Sequence, residues 1–266
     1  MPRTDAGGLI PCQIRHRNGM PVRSCFKRSN GQVEVMMSAS KSPPAKKQYT
    51  SSNFVNRAIS TFDKRAGLGE YLENPKHPSV LAYNDDFVII KDQYPKATIH
   101  LLILPRDPFK QTQHPSEAFQ DAEFFEKVKA EGAKWRAIAA KELSRKLVPP
   151  SQTIPERDWE AEINVGIHSA PSMHHLHIHV ISRDMHSECL RHKKHYNSFN
   201  TSFFVGLHEF PLTEEEAEER KDNWHNRDMI CWRCKANYQN KFTALKAHLE
   251  REFQEWKAEL IKPTEE

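Results

Sequence analysis

Hydrophobic and polar positions change period several times along this chain, and each period predicts a different element. From Asn53 onward, Phe54, Ala58, Ile59 and Phe62 recur at helical spacing. Two short apolar runs follow, Val80–Tyr83 and Phe87–Lys91; the Asn84-Asp85-Asp86 link between them predicts a hairpin. After the Tyr94-Pro95 break, Ala97–Leu104 is apolar and rich in β-branched residues, and Pro105 closes it, which predicts a third, buried strand containing His100. Ser116 is placed to cap a long helix reaching about Lys146, with Phe119, Ala122, Phe125, Trp135, Ile138 and Leu143 at near-helical period and Pro149-Pro150 as its stop. Glu160–His168 and His174–Ser182 then alternate with period two. Thr213 caps a charged helix starting at Glu214, and a last helix runs from about Phe242 to Ile261. Strands, one long helix, then strands again give an α+β class with a mainly antiparallel sheet.

Residues 1–52 carry none of these periods. They are punctuated by Gly, Ser and Pro and hold nothing that could build a core, so they are expected to be a disordered extension. Residues 1–50 contain nine Lys/Arg against Asp5 and Glu34, a local +7, which leaves −3 for the rest of a chain whose net charge is +4. A basic tail on a near-neutral body points to a polyanion partner, to a nuclear address, or to nothing more than a solvated segment. The 266 residues, 38% hydrophobic, suffice for one core of ordinary size plus a small module. Five scattered cysteines exclude a disulfide framework and suggest a reducing compartment. No run approaches the roughly 20 apolar residues of a membrane span, and no secretory apolar core is present, so the expectation is a soluble intracellular protein without membrane contact.

Candidate chemistry sits in two places. In His175-Leu-His-Ile-His-Val-Ile181, period two puts His175, His177 and His179 on one strand face at intervals of about 7 Å, with Leu176, Ile178 and Val180 in the core behind. Such a face can chelate zinc, can simply meet water, or can attack phosphorus. A neutral imidazole is a nucleophile near pH 7 without a separate base, and the phosphoramidate it forms is labile to water, so this chemistry uses no metal in the chemical step.

The second place is Cys231-Trp-Arg-Cys234, followed after thirteen residues by His248 and after three more by Glu252. The spacing is that of a two-Cys, two-His zinc finger whose last histidine is a glutamate, with His248 and Glu252 on one helix side at i, i+4 and with Glu255 and His225 in reserve. Two free cysteines, or a redox pair, are the competing reading; the apolar Phe242, Leu245 and Leu249 around His248 favour the finger. Lys235, Lys241, Lys246 and Arg251 on this module, together with Arg191, Lys193 and Lys194, supply cations for phosphates. Trp232, Tyr196 and Phe199 offer stacking surfaces, with core packing the favoured reading for Phe199.

The His-φ-His-φ-His-φ-φ run resembles the signature of the histidine-triad nucleotide hydrolases and transferases, and the resemblance extends over about residues 54–210. More narrowly, Asp92–Ala97, Gly166–Met173 and Lys193–Asn200, with a finger behind them, resemble the aprataxin family of that superfamily. The resemblance implies a histidine-triad catalytic domain over 53–211 and a small zinc-finger, DNA-binding module over 212–266, with zinc as a structural ion. It implies His177 as nucleophile, its Nδ1–H held by a backbone carbonyl, and His179, His100 and Ser172 around the phosphate, with Lys96 and Met173 nearby. Asp92 would accept from the ribose hydroxyls, a plain turn-capping role being its alternative. His168 or His175 would assist the leaving group, and Lys193, Lys194, His195, Asn197 and Ser198 would meet DNA. The implied activity is a hydrolase acting on phosphoric anhydrides, in DNA repair: it takes AMP off 5′-adenylated ends left by abortive ligation through a His177-AMP intermediate. Nicked or broken DNA, RNA–DNA junctions and 3′-guanylated ends are the implied partners, AMP the product, and the nucleus the compartment, with the cytoplasm second. Two rivals use the same residues differently: a hydrolase of small adenylated nucleotides, and a non-catalytic zinc-finger nucleic-acid binder.

Overall fold

The computed structural model describes residues 64–262; the expected helix over 54–62 and the extension over 1–52 lie outside the described residues. The Asn84 side chain accepts from the backbone N–H groups of Asp86 and Phe87 (3.0 and 2.7 Å), which makes the turn between β1 (Val80–Tyr83) and β2 (Phe87–Lys91). The strands β3 (His100–Pro105), β4 (Ile163–His168), β5 (Ile178–Ser182) and β6 (Phe204–Gly206) complete one antiparallel sheet of order β1-β2-β3-β5-β4-β6.

Strand β3 begins at His100, three residues later than the apolar pattern suggests. Residues 97–99 are held mainly by side chains, with one backbone bond, from Ser182 N to the Ile99 carbonyl (3.0 Å). The buried Asp184 carboxylate accepts from Thr98 N and Thr98 Oγ1 (both 2.9 Å), and Ser182 Oγ accepts from Ile99 N (2.9 Å). Strand β4 likewise opens only after a 3-10 turn, Glu160–Glu162.

The long helix is broken. His114 caps a short α2 (Pro115–Ala118), its ring accepting from Ser116 N, and Asp121 caps α3 (Ala122–Leu147) by accepting from Phe124 N at 3.1 Å. The cap expected of Ser116 therefore belongs to His114 and Asp121, whose acceptors bind the first free N–H groups of two separate helices. Phe124, Phe125, Val128, Trp135, Ala139, Leu143 and Leu147 of α3 pack on Phe87, Ile89, Ile103, Ile178 and Val180 of one sheet face. Ile138, expected on that apolar face, is exposed.

The other sheet face has two coverings. Over β2 and β3, Leu68 and Tyr71 beside or within α1 (Gly69–Glu73) pack on Val88, Ile90, Leu102 and Leu104. Toward β5, Ile181 packs with Tyr196 of α4 (Lys193–Asn200), Met229, Cys231, and Leu245 and Leu249 of the last helix. Thr213 and Glu216 cap α5 (Glu214–Lys221) reciprocally, as expected, and α6 spans Phe242–Leu260. Trp256 and Leu260 of α6 enter the main core, where Trp256 Nε1 donates to Glu162 Oε2 at 3.0 Å. Contacts thus run across the boundary expected at 212. Among the described residues no helix is long and apolar enough to cross a membrane.

The edge strand β6 approaches β4 closely at Gly166: a Cβ there would meet the Val205 carbonyl oxygen and lie 2.8 Å from the Phe204 ring. Gly166→Ala is expected to lower unfolding free energy by about 1–3 kcal/mol, the usual cost of overpacking. Urea denaturation checks this, and an unchanged midpoint would mean that β6 yields.

Candidate active site and zinc centre

Between the two coverings of that second face lies a group of four imidazoles. The register aligns Leu102, His179 and Gly166 across β3, β5 and β4, and His100 beside Ile181 one step along, so His100, His168 and His179 emerge on the same side. His177 stands just before β5. The ring nitrogens of His168, His177 and His179 come within 4.8 Å of one another, and so do the ligand atoms of Asp92, His100 and His179.

Hydrogen bonds fix which nitrogen carries a proton in His177, His100 and His179. His177 Nδ1 lies 2.7 Å from the His175 carbonyl, which only accepts, so Nδ1 is protonated and Nε2 keeps its lone pair. Lys96 N donates to His100 Nδ1 at 3.1 Å, which places the His100 proton on Nε2. That proton is shared with His179 Nδ1 at 3.0 Å, so His179 in turn carries its proton on Nε2. His179 Nε2 is buried and has no hydrogen-bond partner among the described residues, and the same is true of His168 Nε2. The group therefore holds a nucleophilic lone pair on His177 beside an N–H on His179 that lacks an acceptor.

Burial is the main reason that these rings resist protonation. It pushes His100 down to about 4, against the pull of Asp92, and His168 down to about 3, with His177 and His100 adding repulsion. His179 is held well below the ordinary imidazole range by burial and then by its three neighbours, and His177 is lowered by burial against the His175 carbonyl and Asp92. Aromatic rings supply that burial: Phe199 lies 5.3, 4.8 and 5.1 Å from His100, His168 and His179, and Phe203 stacks on His168 at 5.1 Å.

The histidine run is less regular than its spacing suggests. Strand β5 starts at Ile178, because Leu176 N donates to the Gln111 carbonyl (2.7 Å) instead of joining the sheet. His177 and His179 are consequently 4.9 Å apart between ring centroids, closer than the repeat of an extended strand. His175 does not share their face: its ring lies against Gly69 of α1, and only its carbonyl reaches the group. Of the two residues expected to assist a leaving group, His168 alone joins the cluster.

Asp92 combines both of its expected placements. Oδ1 accepts from Tyr94 N at 2.7 Å, capping the turn, while Oδ2 lies 3.5 Å from His100 Nε2. Lys96 is half-buried, its amine donating to the Tyr94 carbonyl and its pKa lowered by burial against Asp92. Ser172 is exposed, with its carbonyl accepting from Arg65 Nε at 2.9 Å, and Met173 packs on the Leu68–Tyr71 cluster.

Helix α4 sorts its expected DNA contacts into two groups. Lys194 is exposed; His195 is partly buried, with Nδ1 accepting from Arg191 N at 3.2 Å. Lys193 is tied to the Asn226 carbonyl (2.9 Å) and to Asn240. Asn197 and Ser198, by contrast, face inward. Asn197 Nδ2 donates to the Trp224 and Arg227 carbonyls (3.1 and 2.8 Å), and the Ser198 hydroxyl donates to the His195 carbonyl (3.2 Å). Tyr196, expected as a stacking surface, is buried, and its hydroxyl bridges the Ile230 carbonyl and Trp232 N. Phe199, for which the core was favoured, is half-buried and walls the histidine group, a role that period alone does not reveal.

In the finger, Cys231, Cys234, His248 and Glu252 bring one ligand atom each within 4.8 Å of the others. Cys234 Sγ and His248 Nε2 are 3.2 Å apart, and Glu252 Oε1 is 3.1 Å from His248 Nε2. Two thiols, an imidazole and a carboxylate at this closeness suit a tetrahedral zinc ion. The other Glu252 oxygen accepts from Arg233 Nη1 at 2.6 Å, a clamp invisible in the spacing. Both reserves stay outside the group: Glu255 pairs with Arg233, and His225 packs on Trp224.

Family models match the regions that hold both centres. Residues 67–195 match the family described as scavenger mRNA decapping enzyme C-term binding, and residues 200–255 match the C2HE / C2H2 / C2HC zinc-binding finger. An aprataxin-like protein of Saccharomyces cerevisiae is 38% identical over 71% of this chain and 95% of its own length. One from Schizosaccharomyces pombe is 29% identical over 86% and 95%. Among solved structures, aprataxin ortholog Hnt3 in complex with DNA is similar at a TM-score of 0.63 with 30% identity, over 74% of this chain and 98% of that one. Hnt3 in complex with DNA and guanosine gives 0.64 and 31%, over 74% and 99%.

The lowered imidazole pKa values set the pH dependence of stability. Folded histidines titrating near 3 and 4 bind fewer protons than their unfolded counterparts near 6.5, so the stability they contribute is complete above about pH 6.5 and is lost as pH falls toward 4. His168→Phe, which keeps the aromatic packing, is expected to flatten that loss. Urea unfolding at several pH values between 7 and 4 checks it; an unaltered slope would clear His168 of this role.

Proposed function

The chain belongs to the aprataxin family, a DNA-processing branch of the histidine-triad hydrolases, and from that premise we propose that it removes AMP from 5′-adenylated DNA ends through a covalent intermediate on His177. The observation that carries this reading is the bond from His177 Nδ1–H to the His175 carbonyl, which leaves the Nε2 lone pair free next to the N–H of His179.

In the first step His177 Nε2 forms a bond to the adenylate phosphorus, and the bond from that phosphorus to the bridging oxygen breaks. The electron pair leaves with the DNA as its 5′-phosphate. His179 Nε2–H, itself oriented by His100 and Lys96 N, donates to the phosphoryl oxygens as negative charge grows there. Asp92 accepts from the ribose hydroxyls, and Ser172, Lys96 and Met173 border the nucleotide. The leaving phosphate needs little acid assistance, and His168, which joins the cluster, supplies what it needs. In the second step water attacks the same phosphorus, the P–N bond breaks and AMP departs. RNA–DNA junctions and 3′-guanylated ends present the same phosphorus chemistry to the same nucleophile.

Cys231, Cys234, His248 and Glu252 would hold a structural zinc ion, which fixes the finger against the sheet; the exposed cations of the finger and Lys194 then face nucleic acid.

Purified protein given a 5′-adenylated nicked duplex, in parallel with diadenosine polyphosphate, tests the reading. Preferential release of AMP from the nick is expected, and preference for the small nucleotide would sink it. His177→Ala should lower single-turnover AMP release by at least about a thousandfold with folding intact, and retained activity would remove His177 as nucleophile. Cys234→Ser is expected to cost bound zinc, measured by mass spectrometry, and to weaken DNA binding more than it slows hydrolysis of a small adenylate. Equal losses would mean that the finger serves the fold alone.

A further inference from the structure

His168 ends β4 and His177 stands just before β5, and residues 169–176 between them belong to no helix or strand. The same connection carries Ser172, Met173 and the His175 carbonyl that orients the His177 ring. A segment without a ladder of its own is placed by whatever bonds its neighbours give it.

Those bonds come from three sides. At the end of the connection, Leu176 N donates to the Gln111 carbonyl at 2.7 Å. In its middle, the Ser172 carbonyl accepts from Arg65 Nε and His174 N donates to the Arg65 carbonyl, both at 2.9 Å. At its start, Ser169 N donates to the Phe203 carbonyl at 2.9 Å, and the backbone of Ser169 makes a second bond, with the His114 ring.

The direction of that second bond follows from the α2 cap. His114 Nδ1 accepts from Ser116 N at 3.3 Å and lies 2.7 Å from Ser116 Oγ, so the neutral ring carries its proton on Nε2. Burial first, and then Lys221, lower the His114 pKa and keep the ring neutral. Ser169 N is engaged with Phe203, which leaves the Ser169 carbonyl as the acceptor for His114 Nε2–H. Gln111 and His114 belong to one connection, residues 106–114 between β3 and α2, so that connection grips the other at both ends. The ring nitrogens of His168 and His177 lie within 4.8 Å of each other across this doubly held segment.

We propose that His114 is a positioning residue for the reaction: through the Ser169 carbonyl it fixes the start of the 169–176 connection, and with it the spacing of His168, Ser172 and His177. The proposal rests on the phosphoryl-transfer reading above for the chemistry. His114 itself touches neither the reacting atoms nor the nucleotide.

The two nitrogens of His114 can be tested apart. The side-chain amide of Asn ends near the Nδ1 position, so His114→Asn keeps an acceptor for Ser116 N and drops the donor to Ser169. The amide of Gln ends near the Nε2 position, so His114→Gln keeps the donor and drops the cap. Both are made in the full chain and measured by urea midpoint and by kcat and KM on a 5′-adenylated nicked duplex and on a small adenylate. The two measures should rank the variants oppositely: Asn retains the higher midpoint, and Gln the higher kcat. His114→Asn is expected to lose about 10- to 100-fold in kcat on both substrates with KM changed less than about threefold, and Gln to restore kcat to within about threefold of wild type. Unchanged kcat in His114→Asn, or kcat that follows the midpoints in both variants, would overturn the proposal and leave His114 a helix cap. Ring ¹⁵N spectra give a readout free of substrate: His114→Asn should move the His168 and His177 resonances, and His114→Gln should not. If the wild type releases AMP from neither substrate, the reaction reading falls, and these spectra still decide the placement: unmoved resonances in His114→Asn overturn it.

Discussion

Four imidazoles share one closed face of this sheet, and they can do so only while uncharged. In a poorly solvated space a proton on any one raises the cost of a proton on the next, and the repulsions among His100, His168, His177 and His179 reflect that coupling. The strand order brings the constraint about, since β3, β5 and β4 are neighbours and contribute His100, His179 and His168 at adjacent registers. Phe199 and Phe203 complete it by replacing water over the rings. Neutrality then has a chemical consequence: a ring without a proton on Nε2 keeps the lone pair, and the chain from Lys96 N through His100 to His179 decides which nitrogens donate.

Much of this was legible in the chain. Turn residues at Asn84–Asp86 and the alternation of β2 located the hairpin, and Thr213 with Glu216 located α5, because these signals act over a few neighbouring residues. Where the sequence misled, a distant partner had replaced the local one. Period two carried the final strand back to His174, but the Gln111 carbonyl takes Leu176 N and turns His175 toward α1. Apolar content carried β3 back to Ala97, but Asp184 and Ser182 hold that backbone from across the sheet. Ser116 looked like a cap, yet His114 and Asp121 have the acceptors in reach. Asn197 and Ser198 read as surface polar residues and proved to be internal hydrogen-bonding groups, a distinction that composition does not encode. The grouping of Cys231, Cys234, His248 and Glu252 was legible as two close-spaced pairs, although only the packing of the last helix on the Cys pair brings them together; the Arg233 clamp on Glu252 was not legible.

The finger and the histidine group are linked mechanically through α4. Tyr196 is fully buried beside Cys231, and its hydroxyl holds the Ile230 carbonyl and Trp232 N, the backbone groups on either side of that cysteine. One turn further along the same helix, Phe199 rests on three of the four imidazoles. Trp256 reaches from α6 to Glu162 at the foot of β4. The finger therefore forms part of the wall behind the catalytic face, and the position of its ligands bears on how tightly Phe199 closes over the rings.

A carboxylate among the zinc ligands raises an electrostatic question that Arg233 answers. Were a dication held by two thiolates, an imidazole and a carboxylate, the centre would carry one negative charge, where a second imidazole would leave it neutral. On a module proposed to meet phosphates, such a charge would be unfavourable. Arg233 places its guanidinium on the oxygen of Glu252 turned away from His248 and binds Glu255 and Glu259 with the same fork. The arginine cancels the extra charge where it arises and orients the carboxylate as an outer partner orients a metal ligand. The finger's other cations are left to the surface: Lys246 lies 3.9 Å from Glu188 and Lys235 pairs with no acid among the described residues, and their charge adds to a centre that Arg233 has brought back to neutral.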